Sequence, residues 1–226
     1  MDWSVVLEYH ELFVRGFYTT ILLTVVGVGV GLVIGLILGL MRLSGRWWLV
    51  RPATLYVDIF RGTPLLLQIL FIHFGLIPTI WEGMGLISPG PLFSGFVALS
   101  LNAGAYIAEI FRGGIQSIDK GQMEAARSLG MSYGQAMRHV ILPQAFRRML
   151  PPLGNEFIAL LKDSSLVAMI AVNDLTYAAW TTAKNTWERW APYLTVGIMY
   201  FILTLLLSRL VYWLEKRFSP EAKERG

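Results

Sequence analysis

Along this chain long apolar runs alternate with short polar intervals. Five runs are close to the roughly 20 residues that a helix needs to cross a bilayer: 17–41, 52–77, 91–111, 149–171 and 192–214. The pattern predicts an all-α integral membrane protein with five transmembrane helices in one domain, 1–226, and short connecting loops. The start, MDWSVVLEYHELF, carries three acids before Arg15 rather than the basic leader of a signal peptide, so the first run is expected to be retained. Within it Gly27, Gly31, Gly35 and Gly39 recur at every fourth position. That stripe lets another helix backbone come close, which is an assembly signal rather than chemistry.

Composition rules out the soluble alternative. Hydrophobic residues make up 55% of the chain and charged residues 15%, with a mean hydropathy of +0.55, whereas soluble domains carry about 25% charged residues. The net charge of +4 would suggest nucleic acid for a soluble protein, but here its placement matters more. Fourteen of the nineteen basic residues fall on one side, from Arg42 to Arg51, Arg112 to Arg148 and Arg209 to Arg225. Arg15, Lys184 and Arg189 fall on the other, which predicts an external N-terminus and a cytoplasmic C-terminus. Trp81, Trp180, Trp187 and Trp190 suit an interfacial belt, and 77–91 is expected to be a surface loop. With no cysteine there is no disulfide or thiol nucleophile, and His10, His73 and His139 lack metal-ligand spacing. No GxxxxGK[ST] string is present, so the chain is not expected to hydrolyse ATP, and no catalytic, metal or cofactor residues are assigned.

The interval 119–143 is the most informative polar stretch. Asp119 before Gln122 and Ser132 before Gln135 read as helix starts, and Gly130 between them as a helix stop. Ala125, Ala126 and Ser128 make a shallow face suited to a partner's groove, while Arg127, Arg138, Arg147 and Arg148 suit contact with anionic lipid. Glu124-Ala125-Ala126, then Gly130, then Val140-Ile141-Leu142-Pro143 resembles the EAA loop of permease subunits of bacterial ATP-binding-cassette importers. RGTPLLLQ at 61–68, LNAGAYIAEIFRGGI at 101–115 and LGNEFIALLKDSSL at 153–166 resemble the branch that imports polar amino acids and opines.

The resemblance implies a multi-pass protein of the bacterial inner membrane that pairs with a second permease copy or a paralogue. It also implies two ATPase subunits, which would bind ATP and magnesium, an extracytoplasmic solute-binding protein, and a polar amino acid as substrate. Glu124, Ala125, Ala126, Arg127, Gly130, Leu142 and Pro143 would then couple the chain to the ATPase.

Ionisable residues inside spans cost about 2.5 to 3.5 kcal/mol each and need a reason. Lys162 and Asp163 supply both signs for a zwitterion, or else satisfy each other or the bundle. Asn102, Tyr106, Glu109 and Gly113 share one helical face, which the resemblance makes pore-lining. Asn102 can hold a substrate group or a neighbouring backbone, and Glu109 is expected to pair with Arg112. Gly62-Thr63-Pro64 interrupts its helix, and Asp58 is expected to pair with Arg61. The candidate substrate residues are therefore Thr63, Asn102, Tyr106, Lys162, Asp163 and Ser164. The rival reading is an ion-coupled secondary transporter using Glu109, Glu156 and Asp163.

Overall fold

The computed structural model describes residues 2–218, so Lys223 and Arg225 lie outside the described residues. The described residues form helices and turns only. A short α1 (Ser4–Glu8) precedes α2 (His10–Leu43), and α3 (Trp47–Gly62) follows after a tight turn. Next, α4 (Leu65–Phe71) runs through a π-helical turn at Ile72–Leu76 into α5 (Ile77–Gly83). After α6 (Pro91–Gln116) come α7 (Lys120–Ser128) and α8 (Tyr133–Ala136). A second π turn, Met137–Ile141, leads into α9 (Leu142–Asp163), and a 3-10 turn at Ser164–Ile170 closes it. Two further helices, α10 (Leu175–Thr186) and α11 (Trp190–Phe218), complete the described chain.

Among the described residues four helices are long and apolar enough to cross a membrane: His10–Leu43, Leu65–Gly83, Pro91–Gln116 and Trp190–Phe218. Two of the expected runs therefore take another form. The run 52–77 breaks at the interruption expected from Gly62-Thr63-Pro64, because Pro64 has no N–H and forces Thr63 out of the α region, to φ −122° and ψ 148°. The run 149–171 is the polar end of α9 together with the 3-10 turn, and its charges keep it out of the set of apolar helices. The expected loop 77–91 is helical as far as Gly83.

The glycine stripe does its assembling inside the chain. A Cβ at Gly31 would come 2.8 Å from Ala103 Cβ, and one at Gly35 would come 2.5 Å from Ile107 Cγ2. From the other side, a Cβ at Gly104 would meet Ile34 Cγ2 at 2.6 Å. Small residues on both helices let α2 and α6 lie almost backbone to backbone, and this is the most extensive helix pair of the fold. The core grows from that seam: Leu23, Ile69, Leu99, Ala103, Ile107, Leu160 and Val167 pack in one buried cluster. Thus α6 sits at the centre, with α2, α3, α4 and α9 around it.

Candidate functional site

At the polar end of the bundle, α7 starts on Asp119, whose carboxylate accepts from the Gly121 N–H at 2.7 Å. It stops in a Schellman arrangement, with Met131 N–H donating to Ala126 O at 3.2 Å and Gly130 N–H to Arg127 O at 3.0 Å. Gly130 takes φ +87°, a conformation that only glycine adopts without penalty. Ser132 and Gln135 then form a reciprocal capping box. The helix–glycine–helix reading of 119–136 thus matches the observed backbone, except that at Asp119 no box with Gln122 forms.

The expected docking face is divided. Ala126 is buried within the chain, while Glu124, Ala125, Arg127 and Ser128 are exposed. Two side chains that sequence reasoning missed are also exposed, Leu129 at 82% and Tyr133 at 62%. Apolar residues on both sides of a helix-stopping glycine in a polar loop were the available signal. Gln144 donates to Gln122 at 3.2 Å and so ties α9 to α7. Because Pro143 lacks an N–H, the π turn absorbs the mismatch and α8 runs on into α9, with Leu142 and Pro143 exposed at the junction.

The second feature is a polar face on α3, α6 and α9. Glu109 is its centre: Arg42 Nη1 lies 2.5 Å from Glu109 Oε2, Arg112 bonds both carboxylate oxygens, and Arg61 Nη1 lies 3.8 Å away. The expected pair with Arg112 is present, but the expected Asp58–Arg61 pair is not. The Arg61 guanidinium instead turns to Glu109 and lies over the Tyr106 ring at 5.4 Å from its centroid. Three guanidiniums around one carboxylate leave the cluster with net positive charge. Glu156 and Asp163, seven residues apart on one face of α9, belong to the helix that packs beside α6.

Lys162 and Asp163 are exposed, and among the described residues no ion pair engages either of them, so they are not satisfied by each other. Ser164 differs: it is fully buried and donates its hydroxyl hydrogen to Leu161 O at 2.8 Å, a helix-end role. Asn102 is also turned inward, 5% exposed, with its amide donating to Gln68 Oε1 at 2.9 Å. Gln68 Nε2 in turn donates to Phe60 O at 2.8 Å, Thr63 O at 3.0 Å and Thr63 Oγ1 at 2.9 Å. Thr63 itself is exposed beside the break, and its hydroxyl donates to Ile59 O at 2.7 Å. Hence Thr63 and Asn102 meet only through Gln68, a residue that sequence reasoning quoted without assigning it a role. Among the described residues no group of three or more His, Asp or Glu side chains converges to hold a metal.

A family model described as the inner membrane component of binding-protein-dependent transport systems matches residues 31–220. A probable glutamine ABC transporter permease protein of Bacillus subtilis is 41% identical, over 97% of this chain and 99% of its own length. A glutamine transport system permease protein of Escherichia coli is 39% identical, over 96% of this chain and 98% of its own length. The crystal structure of an amino acid ABC transporter with histidines superposes with a TM-score of 0.88 at 41% identity, covering 96% of this chain and 99% of that one.

Proposed function

The chain belongs to the family of inner membrane components of binding-protein-dependent transport systems, and from that premise we propose how it works. It is a permease subunit of an amino acid ABC importer; we propose that its cargo is a polar amino acid such as glutamine. The observation that carries this reading is the polar cluster of Arg61, Tyr106 and Glu109, with Glu156 and Asp163 on the adjoining α9, in a chain with four long apolar helices among the described residues. Such a face is too costly to leave against lipid and is suited to a solute bearing both charges. In this reading Thr63, Tyr106, Lys162 and Asp163 face the pathway, whereas Asn102 and Ser164 support it from behind. A second copy or a paralogue closes the pathway from the other side.

Five crossings fit the helices: α2, α3 through α5 with its break mid-way, α6, α9 with its 3-10 turn, and α11. The distribution of basic residues favours an external N-terminus in the inner membrane. Two ATPase subunits, which bind ATP and magnesium, dock on the cytoplasmic side against Glu124, Ala125, Arg127, Leu129 and Tyr133. Because α8 continues into α9, movement of that loop is carried to the polar face by one helical arm. The binding protein delivers the solute from outside. The family leaves no support for ion coupling.

The test is reconstitution in proteoliposomes with the cognate ATPase subunits and binding protein. Uptake of glutamine should require ATP, stop with vanadate and survive a protonophore; uptake that survives vanadate but collapses with the protonophore would overturn the proposal. In the cysteine-free chain, single cysteines at Glu82 and Lys184 should react with an impermeant maleimide from outside and one at Lys120 should not.

A further inference from the structure

We infer that Gln68, oriented by Asn102, is a positioning residue that holds the α3–α4 break open and thereby sets which solutes the polar face accepts; the second half of this rests on the function proposed above. The first half comes from hydrogen-bond accounting. In an uninterrupted helix Phe60 O would receive the N–H of residue 64, but residue 64 is proline. The amide of Gln68 supplies the missing donor, 2.8 Å from Phe60 O, and reaches Thr63 O and Thr63 Oγ1 with the same nitrogen.

Those acceptors determine which end of the amide faces the break. Turned the other way, Gln68 would set its carbonyl oxygen against two backbone carbonyls. The oxygen therefore points toward α6, where Asn102 Nδ2 donates to it at 2.9 Å and also lies 3.5 Å from Phe60 O. The relay has one polarity, from Asn102 to Gln68 to the end of α3. Gln68 is 8% exposed and Asn102 5%, so both are withdrawn from the surface. What they hold is exposed: Arg61, Gly62 and Thr63 form the rim beside Tyr106 and Glu109. With the Phe60 and Thr63 carbonyls satisfied from within the chain, the end of α3 that carries this rim is fixed without a solute bonding either of them, which is preorganisation of a site from behind.

Gly62 offers a reporter, since a Cβ there meets nothing within 4 Å. A single Gly62→Cys in the cysteine-free chain, assembled with its ATPase subunits, can be labelled with a hydrophilic maleimide. Adding Gln68→Met should change the labelling rate by about 5- to 30-fold, the population shift expected when one or two net hydrogen bonds of a closed network are lost. It should also change the ratio of glutamine to arginine uptake while ATPase co-purification persists, a readout that loss of stability alone would not move. Asn102→Ser, which leaves Gln68 in place without its donor, should act in the same direction, and the double variant should not exceed Gln68→Met. Labelling and uptake ratio both unchanged in Gln68→Met would overturn the relay; if that variant does not assemble, an unaltered labelling rate in Asn102→Ser does so instead. Labelling needs no solute, so a complex that labels as expected but imports no amino acid would refute the proposed function and leave the relay standing.

Discussion

Gly35→Ala adds one methyl where α2 meets α6 most tightly. A Cβ at that position would sit 2.5 Å from Ile107 Cγ2, 2.7 Å from Ile107 Cβ and 3.0 Å from the backbone nitrogen of Ala108. Two of those atoms are held close to the helix axis, so they cannot swing away as the end of a flexible side chain would. Either Ile107 leaves its rotamer or the helices part by about an ångström, and overpacking of this kind costs about 1–3 kcal/mol. Alanine's better helix propensity returns about 1 kcal/mol. Gly29→Ala on the same helix provides the control, because a Cβ there meets nothing within 4 Å. Propensity cancels between the two variants, and their difference isolates the clash at about 1–3 kcal/mol. At roughly 2–4 °C per kcal/mol for a chain of this size, Gly35→Ala should lose its folded state about 2–12 °C below Gly29→Ala. The assay is the thermal midpoint of the detergent-purified protein followed by gel-filtration fluorescence. Because α6 also carries Tyr106 and Glu109, uptake should fall with the midpoint in Gly35→Ala only. Equal midpoints for the two variants would refute the close-packed seam.

Glu109→Gln leaves Arg42, Arg61 and Arg112 facing one another, and should cost somewhat less than the roughly 3–5 kcal/mol of a fully buried broken pair, since the Glu109 side chain is 24% exposed; the folded yield should drop and recover in part with Arg42→Met added. Asp163→Asn should leave yield and ATPase assembly unchanged, because no ion pair among the described residues engages the carboxylate, while solute affinity weakens about 10- to 100-fold, the loss of a charge-assisted hydrogen bond; competition uptake of glutamine against arginine measures it, and identical kinetics would remove Asp163 from the pathway. Leu129→Asp and Tyr133→Ala alter side chains that touch little within the chain, so membrane insertion should be normal and co-purification of the ATPase should fall at least about tenfold, which a pull-down reads directly.

The devices that local chemistry controls were legible along the chain. Gly130 as a helix stop needs only a residue that tolerates positive φ, and the Ser132–Gln135 box needs only its own spacing. The break at Thr63 follows from the missing N–H of Pro64 in the same way. What failed were assignments of partners. Arg61 has Asp58 one turn away, yet it reaches across to α6, where the Glu109 carboxylate and the Tyr106 ring are both available. Asn102, Tyr106 and Glu109 do lie along α6, but Asn102 is tipped into the space between α6 and α4, and that rotation cannot be read from helical periodicity. Ala126 reads as part of a docking face from its size and from the motif around it, whereas its burial, with α7 lying against the π turn at Met137–Ile141, shows only in the structure.

By itself the sequence determined that this chain lives in a membrane, where α7 and α8 start and α3 breaks, and which family it resembles, because apolar length, capping residues and proline act within a few residues of themselves. The tertiary structure alone decided that the glycine stripe serves a seam inside the chain, that one carboxylate gathers three arginines from α2, α3 and α6, and that Gln68 supplies the hydrogen bond Pro64 cannot make. Each of these depends on how far one helix is rotated and how closely it approaches another. That is set by the packing of whole helices against one another, and no local run of residues encodes it.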